Sequence, residues 1–158
     1  MPKLRPLADS DVEDVLALNQ ANVEMLAPMD ESRLHMIQAI CDRFDVLEED
    51  GAFAGFVVTF HQGAAYDSAK YSWFSERYGS FYYLDRVVLD ESFRRRGLGT
   101  FMYDEIENVA AAYGRMCLEV NLTPRNDASL AFHARRGYAE VGRLHEEDHL
   151  LSMLAKTL

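Results

Sequence analysis

Residues 89–100 read LDESFRRRGLGT, and they decide the fold because they lead from an apolar strand through a glycine-bearing turn into an amphipathic helix. The segment before them, 81–89, has strand length and is rich in aromatic and β-branched residues. After the turn, apolar residues recur every three or four positions and predict a helix over 97–113. A second strand over 116–121 completes a strand, helix, strand unit, in which the two strands must run parallel.

Similar patterns extend over the rest of the chain. Helical spacing of apolar residues predicts three further helices, over 9–22, 30–44 and 127–136. Two strand pairs are predicted, 45–49 with 52–61 and 139–145 with 149–154. The first pair turns at Asp50-Gly51, a strong hairpin signal. We therefore expect one mixed α/β domain over residues 1–158, without internal repeats.

The composition limits the partners of this chain. Its 16 basic and 26 acidic residues give a formal net charge of −10, which argues against nucleic acid or an anionic membrane, since both need a basic face. No apolar segment is long enough to span a membrane and residues 1–14 lack a signal-peptide pattern, so we expect a cytoplasmic protein. Cys41 and Cys117 have no zinc-binding spacing, so we expect core residues and no metal site.

The basic residues are concentrated near the glycine turn. Residues 94–143 hold eight arginines against six acidic residues, and Arg94, Arg95 and Arg96 adjoin the turn directly. Glycines let backbone N–H groups approach an anion, a helix N-terminus adds unpaired N–H donors, and arginine supplies counter-charge. The pattern favours a phosphate site, with an ordinary strand-to-helix turn as the alternative. The motifs GxxxxGK[ST] and GxGxxG in its usual context are absent, so neither of those nucleotide sites is supported.

Two motifs make the sequence similar to the GNAT superfamily of N-acetyltransferases. The family's cofactor loop, Q/R-x-x-G-x-G/A directly after the fourth strand, is matched completely by residues 94–99. A second element places an asparagine seven residues before the tyrosine of an F-Y-x-x-x-G-F segment. Asn126 and residues 132–138 keep that spacing, but His133 stands at the tyrosine position. The order of elements also agrees from Leu4 to Leu154.

This resemblance implies a central mixed, largely antiparallel sheet with splayed fourth and fifth strands and flanking helices. It also implies acetyl-coenzyme A (acetyl-CoA) as donor and coenzyme A (CoA) as product. Loop N–H groups would hold the pyrophosphate, and the fourth strand would pair with the pantetheine arm as with an added strand. The residues implied to hold the cofactor are Val87, Val88, Leu89, Arg94, Arg95, Arg96, Gly97, Leu98, Gly99, Thr100, Asn126, Ser129, Phe132 and His133.

The resemblance also proposes catalytic residues. His133 falls where the family places the proton donor for the leaving thiolate, and phosphinothricin-type acetyltransferases show a similar asparagine-to-histidine spacing; the alternative is a histidine that caps or packs. Glu119, in Leu-Glu-Val, resembles the strand of ribosomal-protein N-terminal acetyltransferases whose glutamate faces the acceptor. Asp85 is the second candidate base, because strand alternation puts it on the face of Val87 and Leu89. Alternatively, it pairs with Arg86 or caps the loop above.

Residues 62–80 form a polar, aromatic segment that we predict to be a long loop, and such loops are usually functional or mobile. Tyr71, Trp73 and Phe74 are the candidate substrate contacts in it, unless they cover the core. The resemblance implies acetyl transfer to an amine in a ternary complex, and we expect a small-molecule amine rather than a protein as acceptor. A homodimer is left open. The alternatives are a CoA-binding regulatory module without catalysis and an enzyme for longer acyl chains.

Overall fold

The computed structural model describes all of residues 1–158 and contains seven strands and five α-helices. In chain order they are β1 (Pro2–Pro6), α1 (Val12–Ala21), α2 (Glu31–Ile40), β2 (Arg43–Glu49), β3 (Ala52–His61), α3 (Ala69–Ser75), β4 (Tyr82–Leu89), α4 (Leu98–Ala110), β5 (Arg115–Thr123), α5 (Asp127–Arg135), β6 (Ala139–Glu146) and β7 (His149–Thr157). No helix has the length and apolar character that crossing a membrane requires.

The strands form one sheet in the order β1-β2-β3-β4-β5-β7-β6. Strands β4 and β5 are parallel, whereas β1 with β2, β2 with β3, β5 with β7 and β6 with β7 are antiparallel. The predicted mixed, largely antiparallel sheet with flanking helices is therefore confirmed, as is the parallel pair that the strand, helix, strand unit required.

The chain forms two compact units, the first comprising 1–60 and 84–108. In this unit Leu47, Ala54, Leu98 and Met102 form a buried cluster against which Val87 and Leu89 pack. Gly55 brings β3 close to β4, because a Cβ at Gly55 would lie 2.2 Å from the Val88 carbonyl oxygen. This unit contains the glycine turn and the part of β4 that leads into it.

The second unit comprises 61–83 and 109–158. Its aromatic side chains are clustered: the Tyr71 ring lies 5.6 Å from Phe81 and 5.5 Å from Tyr83, and Phe74 lies 5.8 Å from Tyr83, all between ring centroids. Such rings bury large apolar areas and stabilise the unit by packing. The buried Cys117 thiol has its pKa raised to about 12 by burial, consistent with a core residue. Whether both units constitute one functional domain stays a prediction.

Several predicted elements have other bounds or another type in the structure. Helix α2 ends at Ile40, and Phe44 belongs to β2, where it pairs with Val58. The first helix begins at Val12, after a short 3-10 turn over 9–11. The segment predicted as a long loop contains α3, which Ser68 caps by accepting a hydrogen bond from the Tyr71 N–H at 3.4 Å. The Asp50-Gly51 turn is confirmed, with φ of 53° and 80° at its two residues.

Candidate functional site

The turn between β4 and α4 has a defined backbone. Asp90 accepts hydrogen bonds from the N–H and the hydroxyl of Ser92, at 2.9 and 2.5 Å, and these bonds hold its pKa below the usual value. The Asp90 N–H donates to the Ala54 carbonyl at 2.8 Å, which anchors the start of the turn to β3. Arg95 and Gly97 then adopt left-handed φ angles of 65° and 74° before α4 begins at Leu98.

The two glycines of the turn serve different needs. Gly97 is required by its positive φ, which side chains rarely tolerate. Gly99 has no such backbone, and a Cβ at either glycine would meet no protein atom within 4 Å. The chain therefore leaves open space at position 99, and a group that approaches the turn closely would need that space. The first N–H groups of α4 have no partner within the helix, and residues 94–96 are exposed arginines, so the turn fits a pyrophosphate.

Strand β4 presents its backbone to two edges alternately. The Val88 carbonyl lies against Gly55, and the Asp90 N–H reaches Ala54, so even-numbered residues turn their polar groups to β3. Val87 and Leu89 then turn theirs to the opposite edge. The register with β5 covers only Tyr82 and Tyr83. Of the three predicted pantetheine partners, Val87 and Leu89 present backbone groups to the edge away from β3, and Val88 presents its own to β3.

Helix α5 carries the second group of predicted site residues. Asn126 caps the helix, with its side-chain oxygen accepting from the Ser129 N–H at 3.3 Å. Ser129 and Phe132 are half-buried, and His133 is 4% exposed. The asparagine-to-histidine spacing therefore runs from the cap of α5 to its last turn, and Asn126 has a structural role whether or not it contacts a cofactor.

The His133 ring is fixed at one nitrogen. Nδ1 lies 2.7 Å from the Ser129 carbonyl oxygen and 3.3 Å from the Ser129 hydroxyl. A carbonyl can only accept, so Nδ1 carries a proton and the neutral ring keeps its lone pair on Nε2. The rings of Phe132 and Tyr138 pack edge-on against His133, each with centroids 5.3 Å away. The side chain is packed, as one interpretation predicted, and any proton exchange by this ring would use Nε2.

Glu119 lies on β5 and has a partner that sequence reasoning missed. The Tyr83 hydroxyl donates to the Glu119 carboxylate at 2.8 Å, and Tyr83 is fully buried. The parallel register explains the contact, because Tyr83 is aligned with Cys117, two residues before Glu119. A sequence motif could not reveal it, since the register of two strands depends on tertiary packing.

Asp85 is engaged differently. Its carboxylate accepts from the Arg86 Nε at 3.2 Å, and the two side chains are 7% and 3% exposed. Arg86 also donates through Nη1 to the side-chain oxygen of Asn19 at 2.9 Å and to the Ala27 carbonyl at 2.6 Å. The pairing with Arg86 that was the alternative for Asp85 is thus present, and it neutralises the charge that a base would use.

The three predicted substrate residues are buried in the second unit. Tyr71, Trp73 and Phe74 are 2%, 9% and 0% exposed. The Tyr71 hydroxyl donates to the His61 carbonyl at 2.6 Å and accepts from the Ala64 N–H at 3.0 Å. A Cβ on Gly142 would lie 2.3 Å from the Trp73 ring, so this indole fills space above a glycine of β6. Their burial supports the interpretation that they cover the core, and it does not support substrate contact.

Comparisons with known proteins agree with these features. Residues 13–138 match the model of the Acetyltransferase (GNAT) family. Curated proteins give no significant match. Among solved structures, Ard1 from Thermoplasma volcanium is similar with a TM-score of 0.78 and 16% identity, covering 99% of this chain and 97% of that one.

Two further structures show the same fold. A structure provisionally named a phosphinothricin N-acetyltransferase has a TM-score of 0.74 and 19% identity, covering 100% of this chain and 99% of that one. The ribosomal-protein-S18-alanine N-acetyltransferase from Escherichia coli has a TM-score of 0.68 and 19% identity, covering 99% and 94%. The match to the family model over residues 13–138 defines the class of protein as an acetyltransferase. The chain belongs to the GNAT family of acetyltransferases, which use acetyl-CoA as donor.

Proposed function

We propose that this chain transfers the acetyl group of acetyl-CoA to the primary amine of a small acceptor, by direct attack within a ternary complex. The observation that carries the proposal is the Glu119 carboxylate held by the Tyr83 hydroxyl at 2.8 Å, in a chain whose glycine turn fits a pyrophosphate. A buried phenol fixes the direction of this carboxylate, and a fixed carboxylate is suited to accept a proton.

The proton balance of the reaction explains why a base is needed. An alkyl ammonium has a pKa near ~10 and is almost wholly charged at neutral pH, so a proton must leave before the nitrogen can attack. Glu119 takes that proton directly or through a water molecule. Acetyl-CoA supplies an activated thioester when it is bound. In this proposal, a backbone N–H near Leu89 donates to the developing oxyanion.

His133 provides the second proton transfer. Because Nδ1 is committed to Ser129, the ring donates through Nε2 when it is cationic, and the thiolate that leaves is the acceptor of that proton. A histidine can make this transfer in place of the family's usual tyrosine. Asp85 has no step in this scheme, since Arg86 neutralises it.

Two features support a small, cationic acceptor, the first bearing on its size and the second on its charge. The histidine at the motif tyrosine position is also found in phosphinothricin-type acetyltransferases, and a structure provisionally named as such has the same fold. The net charge of −10 favours the approach of cationic amines over anionic ones.

A thiol-release assay tests the proposal. Wild-type protein receives acetyl-CoA with a panel of small amines and of peptides with free N-termini. We expect a small amine to release CoA fastest, with Glu119→Gln lowering kcat about 100-fold or more and Tyr83→Phe lowering it less. Tyr71→Phe is the matched control, because its hydroxyl binds His61 rather than Glu119.

Three outcomes would contradict parts of the proposal. Acetyl-CoA binding without turnover for any amine would favour a regulatory module that binds CoA. Faster release from propionyl or longer thioesters would favour another acyl donor. Equal kcat for Glu119→Gln and wild type would remove Glu119 as the base.

A further inference from the structure

A cleft of about 440 Å³ opens in the first unit where β1 and α2 end and β2 begins. Its volume is in the range of small-molecule sites. None of its residues has a part in the proposed acetyl transfer. The cleft is lined by Leu4, Pro6, Leu7, Gln38, Cys41, Asp42, Arg43, Phe44 and Asp45.

The cleft contains one buried carboxylate with little compensation. The Asp45 side chain is 10% exposed, and Arg43 is its partner, at a long 3.4 Å from Nη1 to Oδ2. Arg43 itself is 42% exposed, so water weakens the attraction. Burial raises the pKa of Asp45, and Arg43 offsets this only in part. Because Arg43 is distant and exposed, a second cation in the cleft would stabilise the charged form of Asp45.

The electrostatic field in the cleft is negative. The Cys41 thiol, on the cleft wall, has its pKa raised to about 11 by burial and then by the charges of Asp42, Asp45 and Asp85. Helix α2 ends beside the cleft with no basic residue in its last turn, so its carbonyl dipoles also favour positive charge. Two carboxylates against one arginine on the wall disfavour an anion.

The other half of the wall is apolar. Leu4, Pro6 and Leu7 offer hydrocarbon surface beside the acidic half. A bare metal ion has no apolar part to bury on such a surface. An organic cation can bury its hydrocarbon there while its charge interacts with the carboxylates.

We propose that this cleft is a second binding site, which takes a small organic ammonium ion with an alkyl or aryl arm. The ammonium group lies against Asp45 and Asp42, and the arm lies on Leu4 and Leu7. The site is separate from acetyl transfer, so its ligand binds without acetyl-CoA.

Calorimetry with phenethylammonium as the probe tests the site on the full chain, without acetyl-CoA. We expect Asp45→Asn to weaken binding about tenfold or more, because the amide removes the charge and keeps the shape. Asp14→Asn is the matched control, an equal charge change at an exposed position of α1. Glu119→Gln should bind like the wild type, and neutral 2-phenylethanol and Mg²⁺ should bind far more weakly.

Methyl NMR locates the bound probe. Phenethylammonium should shift the methyl resonances of Leu4 and Leu7 in the wild type and leave them unmoved in Asp45→Asn. The proposal is overturned if wild type binds no alkyl or aryl ammonium, if Asp45→Asn binds as tightly, or if those methyl groups do not respond. It is also overturned if Asp45→Asn raises the KM of the acetyl acceptor, since the cleft would then be the acceptor site. If Glu119→Gln loses turnover but still binds phenethylammonium, the cleft is distinct from the site of acetyl transfer.

Discussion

At the scale of single residues, the chemistry of His133 depends on one ring nitrogen. Its Nδ1 is held by the Ser129 carbonyl, and its ring is packed between Phe132 and Tyr138. Both roles proposed from the sequence, proton donor and packing residue, use this same side chain. They differ in what removal of the ring does to turnover.

We predict that His133→Ala lowers kcat by about 100- to 10,000-fold, the usual contribution of a general acid, with CoA affinity nearly unchanged. His133→Tyr should retain more activity than His133→Ala, because a phenol can supply the same proton. Steady-state kinetics and calorimetry, with circular dichroism to verify folding, measure both effects. If His133→Ala leaves kcat within about twofold of wild type, the ring only packs.

Residue roles were predictable where they follow from local spacing and not where they follow from pairing between strands. The spacing of Asn126 and His133 lies within one helix, so the sequence determines it directly. The contact of Tyr83 with Glu119 joins two residues that are 36 positions apart in sequence, and only the folded register of their strands aligns them. The role of Asp85 was ambiguous for a related reason. Whether Arg86 forms an ion pair with Asp85 depends on the conformation of the Arg86 side chain, which the fold determines.

At the scale of elements, the turn between β4 and α4 offers a test with matched controls. We predict that Gly99→Glu and Gly97→Asp each raise the Kd for CoA about tenfold or more, because each adds a negative side chain where the pyrophosphate approaches and displaces charge-assisted hydrogen bonds. Gly99 is the cleaner position, since its backbone needs no glycine.

Two glycines outside the turn resemble Gly99 and Gly97 in backbone conformation and surroundings, so they serve as controls. Gly79 has ordinary φ and open surroundings, like Gly99, and Gly63 has a φ of 83° with open surroundings, close to the 74° of Gly97. Gly79→Glu and Gly63→Asp should leave CoA affinity unchanged in calorimetry. Equal losses in the turn variants and their controls would point to general destabilisation and would contradict a phosphate site in the turn.

Helix α3 shows why one element was missed. It has seven residues, too few for an apolar period to be recognised, and its aromatic side chains suggested a functional loop. Its packing depends on distant positions, since Trp73 occupies the space that a side chain at Gly142 would need. The strand, helix, strand unit was predictable because a long amphipathic helix between two apolar runs carries its own signal.

At the scale of the whole molecule, two buried carboxylates should affect stability with opposite signs. Asp11 accepts from the Arg5 guanidinium at 2.6 and 2.9 Å, which lowers the pKa of Asp11. Its stabilising contribution is therefore present at neutral pH and is lost as the pH falls through the folded-state pKa. Burial raises the pKa of Asp45, so its charged form destabilises the fold at neutral pH.

We predict that Asp11→Asn lowers the free energy of unfolding at pH 7 by about 1 to 3 kcal/mol, whereas Asp45→Asn leaves it unchanged or raises it. On acidification the Asp45 difference should disappear first, since its folded pKa lies above the ordinary value, and the Asp11 difference last. Urea unfolding over a pH series measures both. Destabilisation by Asp45→Asn at pH 7 would show that its ion pair with Arg43 outweighs its burial.

The two-edged backbone of β4 divides its amide protons into two populations with different exchange lifetimes in deuterated water. The Asp90 N–H donates to β3, and strand alternation turns the Val88 N–H the same way, so both should exchange slowly with or without cofactor. Those of Val87 and Leu89 point away from β3, so they should exchange quickly in the free protein and become protected when CoA lies along that edge. An alternating, residue-by-residue footprint would thus record how the cofactor is held, and uniform protection along β4 would mean that the whole strand is merely rigidified.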